Sequence, residues 1–274
     1  MSKIIFIDTE IDAQSGKILD IGGVSANDAC FHSCRSEEFV KFLKGNEFIC
    51  GHNILNHDLK YIREILDNAG INASNAIDTL HLSPLLFPAK PYHALLKDDK
   101  LQSEDLNNPL NDAIKSKNLF DDELAAYHNT DAKLQEIYNA LLRDSSEFSA
   151  FFKFISASRT KTNIEAAISK RFKGLICKAA DIKKIASEYP VETAYCLALI
   201  NARDRYSITP PWVLKNYPAV SQIIHLLRHK SCLLGCAYCN EVLDIFKSLK
   251  RTFGFDRFRT YNGCLLYTSP SPRD

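Results

Sequence analysis

The sequence predicts an α/β layer domain over residues 1–147, followed by a mainly α-helical module over residues 148–263. Three observations carry this. Short apolar runs of strand length, ended by turn residues, recur five times before residue 81. Helical apolar periods lie between and after them. From Phe148 onward no strand run is convincing, and Pro190, Pro210, Pro211 and Pro218 punctuate segments of helix length.

The elements follow in order. Residues 3–7 are a short apolar run closed by Asp8, the pattern of a buried strand. Residues 17–24 read as a second strand and 29–34 as a weaker third, with a turn-rich stretch at 12–16 suited to a hairpin. Residues 36–43 form a short helix entered through a serine and two glutamates. Residues 47–50 are a fourth strand leading into Gly51-His52-Asn53. Residues 56–69 set Leu59, Ile62, Ile65 and Leu66 on one helical face closed by Gly70. Residues 76–80 are a fifth strand, and helices over 109–119 and 121–143 complete the domain. In the second module, residues 163–172, 180–188, 191–204, 220–229 and 241–253 read as helices.

Composition narrows the function classes. With 46% hydrophobic and 24% charged residues the chain has the apolar content of a folded protein, not of a disordered one. No apolar run approaches the ~20 residues that span a bilayer, and the run at the start is too short for a signal peptide. Nine irregularly spaced cysteines then suit reduced thiols or metal ligands, and a cytoplasmic location is expected. The net charge of +1 hides an asymmetry. Residues 1–145 hold 14 Lys and Arg against 23 Asp and Glu, and residues 146–274 hold 20 against 10. Collected acids can hold metal and collected bases can hold a polyanion; two solvated faces of different composition are the plainer account. The last eleven residues, 264–274, look like a translated sequencing adapter and are set aside from fold reasoning, Cys264 with them. The natural chain is expected to continue beyond Gly263.

The chemistry-bearing residues begin with Asp8-Thr9-Glu10, at the end of the first strand. Side chains alternate across a strand, so Asp8 and Glu10 share a face. Two carboxylates there repel unless a cation lies between them, and such hard oxygens suit Mg²⁺ or Mn²⁺. A surface turn would give the same three letters. The second piece is Gly51-His52-Asn53, with Asp58 five residues on at the start of a helix. Alone, Asp58 reads as a cap.

Together these residues resemble the DEDD superfamily of 3′→5′ exonucleases, over residues 1–145. The first motif matches as Phe6-Ile7-Asp8-Thr9-Glu10 and the second as Gly51-His52-Asn53 with Asp58. Asp78-Thr79-Leu80 looks like the strand before the third motif, and the fourth carboxylate falls at Asp112. The resemblance implies a ribonuclease-H-like fold with a mixed five-stranded sheet and flanking helices. It implies two divalent cations, Mg²⁺ or Mn²⁺, held by Asp8, Glu10, Asp58 and Asp112 about 3.5–4 Å apart, which activate water and stabilise the leaving 3′ oxygen. Thr9, His52 and Asn53 would line the path of the terminal nucleotide. In the histidine branch of the family a His lies five residues before the last Asp; here that position is Asn107, so the general base is open, with His93 or His128 as candidates. A competing third motif, Tyr127 with Asp131, fits the tyrosine branch. The resemblance favours DNA as substrate. The rivals are an RNA-trimming exonuclease and a catalytically weak module that binds nucleic-acid ends. No Ser/His/Asp or Cys/His signature competes, and there is no Gly-x-x-x-x-Gly-Lys-Ser/Thr loop.

In the second module, Cys232, Cys236 and Cys239 are spaced to share one metal, with Cys177 or Cys196 as a fourth ligand. Zinc, an iron–sulfur cluster and buried free thiols all remain open. The same spacing occurs in radical-SAM enzymes, but those need a barrel after the motif and little follows here. Arg203, Arg205, Arg228, Lys247, Arg251 and Arg257 make this half basic, with aromatics interleaved at the end. That combination suits phosphates and bases as well as it suits a helix-packing stripe. The segment around Trp212 also looks like the part that follows an N-terminal exonuclease in RecQ-type helicase fusions.

Overall fold

The structure is a computed structural model, and it describes residues 3–12, 14–90, 108–159, 162–178, 180–202, 209–228, 258–261 and 264–267. Five strands form one mixed sheet: β1 (Ile4–Ile11), β2 (Ile18–Ser25), β3 (Cys30–His32), β4 (Phe48–Gly51) and β5 (Ala76–Asp78). Their order is β3-β2-β1-β4-β5. The β1–β2 and β2–β3 pairs are antiparallel, and the β1–β4 and β4–β5 pairs are parallel. The α/β class and the mixed five-stranded sheet expected from the sequence are both present.

Alternation along β1 decides what each face of the sheet carries. Ile5 and Ile7 enter a core with Phe39 and Leu43 of α1 (Ser36–Leu43) and with Leu59, Ile62, Ile65 and Leu66 of α2 (Leu59–Ala69). Phe6 points the other way and meets Phe120 of α4 (Pro109–Asn129), ring centroids 5.6 Å apart. Asp8 and Glu10 continue the Phe6 face, the face that α4 covers. Apolar burial on both sides makes β1 an interior strand, which matches its unbroken Ile-Ile-Phe-Ile run.

Several boundaries differ from the sequence reading for physical reasons. The fifth strand stops at Asp78, because that carboxylate accepts the Leu80 N–H at 2.9 Å and starts α3 (Thr79–Leu86). The helix expected to break near residue 120 runs through it, since Phe120 is buried against Phe6, Phe151 and Phe154. The break comes instead at Thr130, whose backbone is extended, before α5 (Ala132–Leu142). The short α6 (Ser149–Phe154) has Phe151 and Phe152 both buried and so offers no amphipathic period.

Contacts group the chain into two compact units. The first comprises residues 1–86, 93–130 and 142–158, and the second residues 87–92, 131–141 and 159–274. The first unit thus reaches past the sequence boundary at 147, because Phe148, Phe151 and Phe152 belong to its core. The second holds α7 (Ile164–Arg171), α8 (Ile182–Glu188), α9 (Pro190–Ala202), α10 (Pro211–Asn216) and α11 (Val220–Arg228). α9 is its centre, buried continuously from Thr193 to Ile200. The expected helix over 241–253 lies outside the described residues. An antiparallel pair, β6 (Phe258–Tyr261) with β7 (Cys264–Tyr267), appears where the sequence suggested no strand. Among the described residues no helix is long and apolar enough to cross a membrane.

Candidate carboxylate site

Three elements bring four acids together. β1 supplies Asp8 and Glu10, the residue before α2 supplies Asp58, and the first turn of α4 supplies Asp112. Burial pushes the Asp8 carboxyl up to about 8, and the charges of Asp58, Asp112 and Glu10 push in the same direction. All four acids named from the sequence are therefore electrostatic neighbours. Among the described residues no group of three His, Cys, Asp or Glu side chains is a ready-formed metal cluster. The donor set is nonetheless all carboxylate oxygen, the ligand type that suits Mg²⁺ or Mn²⁺.

Each acid is placed by local structure. Asp58 makes no side-chain cap to α2. Its Oδ1 accepts instead from the Thr9 N–H at 3.0 Å and the Thr9 hydroxyl at 2.5 Å, tying the start of α2 to β1. Asp112 depends on where α4 begins. The Asn108 side chain accepts the Leu110 and Asn111 N–H groups, and Pro109 fills the first helical position. This end of α4 rests on Gly22, the partner of Asp8 across the β1–β2 ladder. A Cβ on Gly22 would lie 2.1 Å from the Leu110 nitrogen and from the Pro109 carbonyl carbon. Only glycine allows that approach.

The Gly51-His52-Asn53 segment is held by a second buried acid. Asp78 accepts the backbone N–H groups of Asn53, Leu55 and Leu80 at 2.8, 3.1 and 2.9 Å. Burial outweighs these bonds and pushes its carboxyl up to about 7. Asn53 takes a left-handed backbone, φ 64°, and its side-chain oxygen accepts from Asn56. His52 Nδ1 lies 2.9 Å from the Thr79 hydroxyl. A Cβ on Gly51 would sit 2.8 Å from the Ile7 carbonyl oxygen. Thr9, His52 and Asn53, expected along the path of a nucleotide, are thus engaged in building the site, and Thr9 is only 3% exposed.

His57 is the neighbour that the motif comparison missed. Its Nδ1 is 3.8 Å from Asp58 Oδ1, and Asp58 holds the imidazole above the usual histidine range, with Asp8 adding to this. Its place directly before Asp58 was the available signal. His128 is not brought to the acids. It lines a cleft of about 450 Å³ with Lys3, Glu47, Phe48 and Phe154, at the start of β1 and β4. Asp8 lies five residue steps along the strand from Lys3, roughly 16 Å. His93 and Asn107 lie outside the described residues.

The competing third motif is accounted for otherwise. Tyr127 is buried, 5.3 Å from Phe151 between ring centroids, and burial pushes its phenol up to about 12. Asp131 receives Arg171 Nη2 at 2.8 Å and Nε at 3.2 Å, and this hydrogen bonding holds its carboxyl below the usual range. Arg171 also donates to Asn201 at 2.7 Å. Asp112, not Asp131, is among the charges acting on Asp8.

Of the cysteine set, Cys232, Cys236 and Cys239 lie outside the described residues. Cys177 is buried, and its N–H donates to the Leu227 carbonyl at 2.6 Å. Cys196 is buried in α9, its thiol pushed up by burial, with Sγ 3.5 Å from the Val220 carbonyl. The chain matches no protein-family model, no curated protein and no solved structure.

Proposed function

We propose that the first unit is a metal-dependent 3′→5′ exonuclease with a ribonuclease-H-like fold, acting on DNA. The observation that carries this reading is the gathering of Asp8, Glu10, Asp58 and Asp112 from three separate elements around one raised carboxyl. The mixed sheet, with one antiparallel side and one parallel side, supports the fold.

Asp8, Glu10, Asp58 and Asp112 would hold the cations. Bound divalent ions supply charge neutralisation at a scissile phosphate and lower the pKa of water. The chain's own residues set the geometry. Thr9 fixes one oxygen of Asp58 with two donors, and Gly22 fixes the level of Asp112 beside Asp8. Asp78 locks the turn before Asp58. Preorganised charge of this kind is the main lever for phosphoryl chemistry without a covalent intermediate.

The test is release of nucleotides from a 3′-labelled DNA strand, and from its RNA counterpart, with Mg²⁺ or Mn²⁺. Metal-dependent release that is lost in Asp8→Ala supports the reading, and preference for RNA would change the substrate. Absence of release by the wild type with either metal favours a second reading, a module that binds nucleic-acid ends. Asn107, where the resembling family has a basic histidine, is what motivates it.

A further inference from the structure

We propose that His57, just before Asp58, together with Lys60 and Tyr61 on the opening turn of α2, forms a ledge that seats an unpaired nucleic-acid strand beside the four acids. This rests on the exonuclease reading and names the residues that would carry the strand.

The need for such a surface is electrostatic. Four carboxylates repel a phosphodiester backbone, so the strand must be held by groups alongside them. The residues on either side of Asp58 supply these. His57 has a side chain 52% exposed, and its ring lies 6.3 Å from that of Tyr61 at 63°. Lys60 is exposed and carries its ammonium 4.6 Å from the Tyr61 ring centroid. The first turn of α2 contains no acidic residue. An exposed His57 ring, a half-buried Tyr61 ring and a cation are thus clustered within one turn of Asp58. Bases stack on exposed rings without regard to sequence, while a lysine tracks the backbone. Stacking needs a base with a free face, so the ledge suits an unpaired end.

The Tyr61 ring also lies beside the turn at Gly16. Its Cε1 would be 3.6 Å from a Cβ at Gly16, in the turn between β1 and β2. A ring that only props this turn would affect stability and not binding.

The experiment is fluorescence anisotropy of the full chain with a labelled single-stranded DNA oligonucleotide, in Ca²⁺ to limit cleavage, over a range of salt. Tyr61→Ala is expected to weaken binding about tenfold, the scale of one lost base stack. Tyr61→Phe, which keeps the ring, restores it. Lys60→Gln is expected to flatten the slope of log affinity against log salt by about 0.7, the contribution of one phosphate on a single strand. His57→Ala is expected to weaken binding and to raise KM more than it lowers kcat. Tyr61→Ala with a lower melting temperature but unchanged affinity, or an unchanged salt slope in Lys60→Gln, overturns the ledge. If these variants bind as the wild type does while Asp8→Ala still abolishes cleavage, only the ledge falls. If the wild type neither binds nor cleaves, the exonuclease reading falls with it.

Discussion

Replacing Asp8 by Asn should make the metal-free protein more stable, by an amount that grows with pH. The Asp8 carboxyl is raised from 3.8 to about 8, with burial the first cause and three acidic neighbours behind it. Between those two values the folded chain keeps a proton that the unfolded chain has lost. Folding stability therefore falls as pH rises through this window, by up to about 1.4 kcal/mol per pH unit. The full span is on the order of 5 kcal/mol, and water reaching this partly buried group trims it to about 2–4 kcal/mol. Asn has nearly the same shape and cannot ionise. Wild type and Asp8→Asn should be closely matched near pH 4 and differ by about 2–4 kcal/mol near pH 9. Asp78, raised to about 7 by its own burial, adds a slope of the same sign to both proteins and cancels in the difference. The assay is urea unfolding followed by circular dichroism at several pH values, in EDTA and again in Mg²⁺. In Mg²⁺ the wild type should recover stability that the variant cannot, because a ligand bound only by the folded state stabilises it by mass action. Parallel stability curves in EDTA, or a variant less stable near pH 9, would refute the claim that the acids crowd one another.

Other outcomes follow from single contacts. Gly22→Ala forces a Cβ onto the α4 backbone at 2.1 Å and should cost about 1–3 kcal/mol, with a larger loss of cleavage than Gly23→Ala, whose Cβ meets only side-chain ring atoms, of Phe42 at 3.0 Å and Phe39 at 3.5 Å; thermal melts and the 3′-label assay check both. Arg171→Ala removes the partner of Asp131, a half-exposed pair, and should cost at most about 1 kcal/mol while cleavage persists; loss of cleavage without unfolding would return Asp131 to the site. Asn107→His should speed cleavage, since a positioned base typically gives ~10²–10⁴-fold, and single-turnover rates across pH would show it. Thr9→Val removes a hydroxyl donor to Asp58 and should weaken Mn²⁺ binding measured by calorimetry, with the fold kept.

What could be read from the sequence was what depends on local periodicity and on residue type. The apolar run before Asp8, the helical face of α2 and the first turn of α4 were each visible because burial imposes a period. The four acids were legible as residue types, and alternation already placed Asp8 and Glu10 on one face. Contacts over long sequence distance were not legible. Nothing local to Gly22 says that Pro109 will lie against it, yet that approach sets Asp112 next to Asp8. Nothing local to Thr9 says that its hydroxyl will be taken by a carboxylate 49 residues on, which braces the start of α2 against β1. Asp78 read as part of a strand, because the three N–H groups that it accepts come from a turn more than twenty residues earlier and from the helix that it starts. In each case the side chain's chemistry was plain and its partner was not. A motif therefore names the acids that could act, while the small and neutral residues between distant elements decide whether they meet.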